Sequence, residues 1–182
     1  MRLFIAINLC EEMKDCLTTA IEELKKRAAQ GNFTRRENLH LTLAFLGAVG
    51  SERAGAIKSA MNRVHEEPFR LSLTGSGRFR RNGGDIYWAG VEKSRELLSV
   101  HRQISVELEH AGFAPEKREY SPHLTLGREV RLLDPSKDIH ESLPVSGQEM
   151  QVSKISLMKS ERINGKLAYS EIYSRELKGL KK

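Results

Sequence analysis

Residues 2–9 alternate, with Leu3, Ile5, Ile7 and Leu9 on one side, the period-two pattern of a strand with one buried face. Residues 11–30 bring Met13, Leu17, Ile21, Leu24 and Ala28 into line at helical spacing, and Gly31 is the expected stop. A strand is expected at about 39–46, with Leu39, Leu41, Leu43 and Phe45 directed into a core. A second helix starts near Ser51 with Ala54, Ile57, Met61 and Val64 in its stripe. Strands follow around 69–73 and 85–91, separated by the turn-rich Arg81-Asn82-Gly83-Gly84. A third helix at 94–111 aligns Leu97, His101, Ile104, Leu108 and Ala111 and ends at Gly112. A strand at 121–127 comes next, then a short helix at 135–142. The chain closes on a hairpin that turns at Asn164-Gly165.

This order contains a repeat. A strand and a helix lead to a strand carrying His-Leu-Thr-Leu, first at His40–Leu43 and again, 83 residues later, at His123–Leu126. The expected fold class is α+β, a single domain over 1–182 of two pseudo-symmetric lobes across a central cleft.

The repeated tetrapeptide is the sharpest chemical signal. With six histidines in 182 residues, one chance copy is expected in about three of a thousand such chains. Two copies are not an accident of composition, although a duplication could keep them for packing alone. In a strand, residues i and i+2 share a face. His40 projects with Thr42, and His123 with Thr125, each pair backed by leucines facing the other way.

Two imidazoles facing one phosphate suit phosphodiester cleavage, because imidazole titrates near neutrality and one ring can be neutral while its partner is protonated. The threonine hydroxyls would hold the non-bridging oxygens, where charge builds up. Arg128, five residues beyond His123, would add a guanidinium fork matched to phosphate. The basic stretch Arg78-Phe79-Arg80-Arg81 interleaves an aromatic with cations. Phe79 and Arg80 are its candidates for stacking a base and gripping an RNA backbone, against a plain solvated hairpin end.

Composition narrows the class only modestly. Hydrophobic residues make up 39% and charged residues 30%, enough apolar material for a core. The apolar runs are too short to cross a bilayer. The N-terminus reads as a first strand and not as a signal peptide, so a cytoplasmic monomer is expected. The net charge of +6 favours a polyanion such as RNA, but equally describes any basic surface. Cys10 and Cys16 fit no CxxC pattern and read as idle thiols. His101, on the apolar stripe of its helix, reads as packed; His65, His110 and His140 read as solvated. Neither a metal nor a cofactor is implied.

The chain resembles the RNA 2′,3′-cyclic phosphodiesterase family, also called 2′-5′ RNA ligases, within the two-histidine phosphoesterases. The matching stretches are Arg2–Ile7, Glu37–Gly47, Gly77–Phe79, Ile86–Val91 and Tyr120–Arg128. The resemblance implies His40 as proton donor, His123 as proton acceptor, and Thr42 and Thr125 as phosphate holders. It also implies that each lobe is an antiparallel sheet with helices, a 2′-phosphomonoester product, and the joining or cleavage of 2′-5′ linkages without a nucleotide cofactor. Many relatives have a proline soon after the first strand, where this chain reads Asn8-Leu9-Cys10. Two alternatives stand beside this reading: hydrolysis of a small cyclic phosphate, and an RNA-binding module without turnover.

Overall fold

The computed structural model describes residues 1–137, 139 and 142–179, with nothing said of the Ser146 side chain. Its elements in chain order are β1 (Arg2–Asn8), α1 (Glu11–Lys26), β2 (Ala28–Phe33), β3 (His40–Ala48) and α2 (Ala54–Asn62). They continue with β4 (Phe69–Phe79), β5 (Asp85–Val91), α3 (Arg95–His110), β6 (His123–Leu132), β7 (Ser146–Val152), β8 (Lys154–Ile163) and β9 (Lys166–Glu176). Single 3-10 turns at Arg36–Asn38 and Ser51–Arg53 lead into β3 and α2.

Two antiparallel sheets result, ordered β3-β1-β8-β9 and β2-β6-β5-β4-β7. The expected repeat is present in the pairing. β1 pairs with β3 across α1, and β5 pairs with β6 across α3. The lobes also trade cover. α1 follows β1 of the four-stranded sheet but packs on β2, β6 and β7 of the other. α3 follows β5 of the five-stranded sheet and lies against β3 and β4, with α2 beside it. One buried apolar cluster therefore runs through both lobes, from Ile5 and Leu41 through Leu17 and Leu24 to Tyr87, Leu124 and Ile104. Among the described residues no helix is long and apolar enough to cross a membrane.

Several sequence expectations need correction. The first helix ends at Lys26 and not at Gly31, and β2 begins almost at once, an edge strand. Ala28 continues the helical stripe by coincidence, and β2 shows little apolar alternation because its side chains are mostly in contact with solvent. Gly31 sits inside this strand where a Cβ would come within 2.9 Å of the Phe33 ring and 3.0 Å of Val130. Close packing is its role. β4 runs beyond the expected end at residue 73 to Phe79, through the small polar Thr74-Gly75-Ser76-Gly77, with a bulge at Leu73–Gly75. β7 has no counterpart among the expected elements. The short helix expected at 135–142 falls partly outside the described residues, and His140 lies outside them.

Phe45 is the correction with the largest consequence. Expected in the core, it is 61% exposed. A bulge between Thr42 and Ala44, opposite Ile5 and Ala6 of β1, inserts one residue and shifts the alternation. Ala44 takes the inward position, and Phe45 pairs with Phe4 on the face that carries His40.

At Asn164-Gly165 both residues have positive φ, 50° and 76°, the two-residue turn that a right-twisted hairpin favours. The β8–β9 hairpin is thereby held in register to its tip.

Candidate active site

β3 and β6 approach one another where the two sheets meet, bringing together the two His-x-Thr pairs. The local structure of each histidine is the same. His40 donates Nδ1–H to the Asn38 carbonyl at 2.7 Å, and His123 donates Nδ1–H to the Ser121 carbonyl at 2.7 Å. A carbonyl only accepts, so Nδ1 carries a proton in both rings and Nε2 is left as the reactive nitrogen. The two carbonyls belong to the segments just ahead of β3 and β6, which makes this geometry a direct product of the repeat.

Beyond Nε2 the two halves differ. His40 Nε2 lies 3.0 Å from Thr42 Oγ1. Burial pushes the His40 pKa down, the bond to Asn38 opposes this, and the positive charge of Arg128 pushes it down further. The neutral ring is thus favoured, with Thr42 donating its hydroxyl hydrogen to Nε2. Arg128 stands on the other lobe, exposed, with a guanidinium nitrogen 3.5 Å from Thr125 Oγ1. Its charge reaches both His40 and Tyr169. Arg128 therefore faces the same space as His40 and Tyr169.

Aromatic rings wall each side. On the four-stranded sheet, Phe4 lies 4.8 Å from the His40 ring and 5.0 Å from Tyr169. On the five-stranded sheet, Phe79 stands edge-on to His123 at 5.3 Å, with Trp88 5.3 Å behind it. Gly77 permits this arrangement, since a Cβ there would come within 2.3 Å of the Trp88 ring.

Two longer-range bonds set the alignment. Tyr120 donates its hydroxyl to the Thr42 carbonyl at 2.9 Å, crossing from the entry of β6 to β3, and its ring stacks on His101 at 3.9 Å. Asn38, buried, donates Nδ2 to the Leu167 carbonyl at 3.0 Å, and Arg35 donates to that same carbonyl. The tip of the β8–β9 hairpin thus braces the turn whose carbonyl orients His40.

Of the sequence candidates, His40, Thr42, His123, Thr125, Arg128 and Phe79 come together. Arg80 is exposed just past the end of β4, with its carbonyl bonded to Arg81, and among the described residues its side chain has no bond, ion pair or ring contact with these six. Arg78 is ion-paired to Asp85 at 3.2 Å, so it brings little net charge to the basic stretch. Sequence reasoning missed Tyr120, Asn38, Phe4 and Tyr169. Tyr120 stands three residues ahead of His123, a signal within reach; Tyr169 arrives by long-range pairing and leaves none. His101 is packed as expected. Among the described residues no three His, Cys, Asp or Glu side chains gather as a metal-ligand set.

Comparison with known proteins agrees with this geometry. The model of the 2′-5′ RNA ligase superfamily matches residues 14–164. An RNA 2′,3′-cyclic phosphodiesterase of Thermotoga maritima is 31% identical, over 98% of this chain and 97% of that one. One from Methanothermobacter thermautotrophicus is 35% identical, over 88% and 90%. Among solved structures, Escherichia coli LigT complexed with 3′-AMP is similar with a TM-score of 0.77 at 25% identity, covering 97% and 96% of the two chains. A Thermus thermophilus protein reaches 0.82 at 26% identity over the full length of both. With that family's model matched over most of the chain and relatives above 30% identity over nearly its full length, this chain belongs to the 2′-5′ RNA ligase superfamily.

Proposed function

We propose that this protein hydrolyses 2′,3′-cyclic phosphate ends of RNA to 2′-phosphomonoesters by two-histidine acid–base catalysis. The observation that carries the proposal is the matched pair of Nδ1–H bonds at 2.7 Å, which makes Nε2 of each ring the nitrogen that moves a proton. RNA as substrate is supported by the full-length relatives, which are RNA 2′,3′-cyclic phosphodiesterases.

In this scheme neutral His123 takes a proton from water through Nε2 as the water oxygen attacks phosphorus. The bond from phosphorus to O3′ breaks, and protonated His40 gives its Nε2 proton to O3′. The product keeps phosphate on O2′ and gains a 3′-hydroxyl. Thr42 and Thr125 donate hydrogen bonds to the non-bridging oxygens, and Arg128 supplies a full positive charge there. Burial lowers the His40 pKa and favours its neutral ring before substrate arrives. An arriving phosphate anion reverses that bias, because a negative charge beside the ring favours imidazolium. Thr42 then exchanges its bond to Nε2 for one to the phosphate. With a 5′-hydroxyl in place of water, the same movements form a 2′-5′ linkage. No step requires a metal or a nucleotide cofactor.

The test incubates wild-type protein and His40→Ala with an oligonucleotide ending in a 2′,3′-cyclic phosphate, with and without excess chelator. The expected result is a 2′-phosphate end from the wild type in both conditions, and its near-absence with the variant. A 3′-phosphate product, or activity abolished by chelator and restored by one divalent ion, contradicts the scheme.

A further inference from the structure

The bulge in β3 turns a phenylalanine outward beside the reactive histidine. Burial would be the ordinary fate of Phe45, and regular alternation from Leu41 and Leu43 would have provided it. Instead its ring lies 5.9 Å from Phe4 and within 24° of parallel to it. Phe4 is itself only 2% exposed and lies 4.8 Å from the His40 ring. The rings of His40 and Phe45 therefore both lie against Phe4, so the three are connected on one face of the sheet. Phe4 is fixed by burial, and Phe45 is open to solvent. Tyr169 flanks them, 5.0 Å from Phe4 and 5.1 Å from His40.

The other lobe has a counterpart in Phe79, 5.3 Å from His123 and backed by Trp88. A phosphate held between the two Nε2 atoms thus has an aromatic ring on either side. One nucleoside has one base and occupies one ring. A phosphodiester joining two nucleosides presents a base on each side of the phosphorus.

Resting on the reading above, we propose that Phe45 is a second nucleobase platform. It stacks the base of whichever nucleoside lies on the His40 side of the phosphate, while Phe79 serves the His123 side. Phe45 is then a specificity-determining residue that makes two-nucleoside ligands bind better than cyclic mononucleotides. Stacking on an aromatic ring tolerates any base, so the preference concerns the number of bases and not their identity. Three features support a base as the occupant: exposure on the face of the reactive ring, continuity with that ring through Phe4, and the matching aromatic across the site.

The test measures binding by calorimetry. The ligand is a 2′-5′-linked dinucleotide with hydrogen in place of the 3′-hydroxyl beside the linkage, so it cannot cyclise. Two analogues each lack one base. Phe45→Ala is expected to weaken the full dinucleotide about tenfold. It should weaken one abasic analogue equally and leave the other unchanged, which also identifies the nucleoside on the His40 side. Phe45→Trp should retain binding, and Phe45→Leu should recover only part of it. Because the side chain is exposed, the melting midpoint of Phe45→Ala should stay within about 2 °C of wild type. Unchanged affinity for all three ligands, an equal loss for both abasic analogues, or no binding of the dinucleotide by wild type overturns the platform. Hydrolysis of cyclic-phosphate RNA by wild type, alongside any of these results, would sink the platform alone. Base-dependent binding without hydrolysis would sink the enzymatic reading alone.

Discussion

His40 and His123 present their rings identically, each giving its Nδ1 proton at 2.7 Å to the carbonyl two residues back. The pair has one available nitrogen per ring and therefore one proton transfer per ring. His40→Ala and His123→Ala should each lower turnover by about 10²- to 10⁴-fold. The double variant should lose far less than the product of the two, because the residues act as a unit. Near-wild-type turnover in either single variant refutes the assignment.

The pH profile follows from the burial of His40. Activity needs a singly protonated pair, so kcat/KM should be bell-shaped with two macroscopic pKa values. Burial and Arg128 lower the His40 pKa. The second proton therefore enters the pair only at lower pH, and the acid limb should lie below the ordinary imidazole range of about 6.5. A bound anion beside the His40 ring raises its pKa, so the kcat profile should be displaced to higher pH than that of kcat/KM. His123→Ala should keep only an alkaline limb, and His40→Ala only an acid limb. A flat profile from about pH 5 to 9, in an assay limited by chemistry, counts against two-histidine catalysis.

The Tyr120 hydroxyl ties β6 to β3 through the Thr42 carbonyl. Tyr120→Phe removes that bond and keeps the stack on His101. Stability should fall by about 1 kcal/mol, or about 2–4 °C in melting midpoint. The kcat should fall by about three- to thirtyfold with KM little changed, because Thr42 and His40 lose their fixed place relative to β6. A variant with the expected loss of stability and an unaltered kcat would make the bond purely structural.

Arg128 is exposed and reaches the site by charge. For single-stranded RNA, log K should fall against log salt with a slope of about −0.7 per phosphate contacted, and Arg128→Ala should reduce it by about one such unit. Arg80→Ala should leave the slope as it was, since among the described residues the Arg80 side chain bonds to none of the site residues. An affinity indifferent to salt removes the phosphate contact.

What is legible in the sequence is whatever two regular periods encode. The direction of His40 with Thr42, and of His123 with Thr125, follows from the strand period, and the stripe of Met13, Leu17, Ile21 and Leu24 from the helix period. The Asn164-Gly165 turn is legible from its own chemistry. Where an inserted residue breaks the period, the same reasoning fails: Phe45 reads as inward because nothing in His-Leu-Thr-Leu-Ala-Phe marks a bulge. β2 is invisible because a mostly solvated edge strand has little apolar alternation to read. The bracing of His40 by Leu167 depends on strand pairing between distant parts of the chain, which no local pattern expresses.

The crossed cover of the two lobes bears on how the chain can be divided. The repeat invites a cut between its copies, in the loop at Arg81–Gly84. A fragment ending there would keep β1 and β3 but lose β8 and β9, and its α1 would have only β2 and β4 of the sheet it packs on. The complementary fragment would carry β6 stripped of the helix that seals it. Neither piece closes its own interior, so neither should persist alone. Mixed together, each offers the surface the other lacks, and a split protein of this kind should regain its active site only as the reassembled pair.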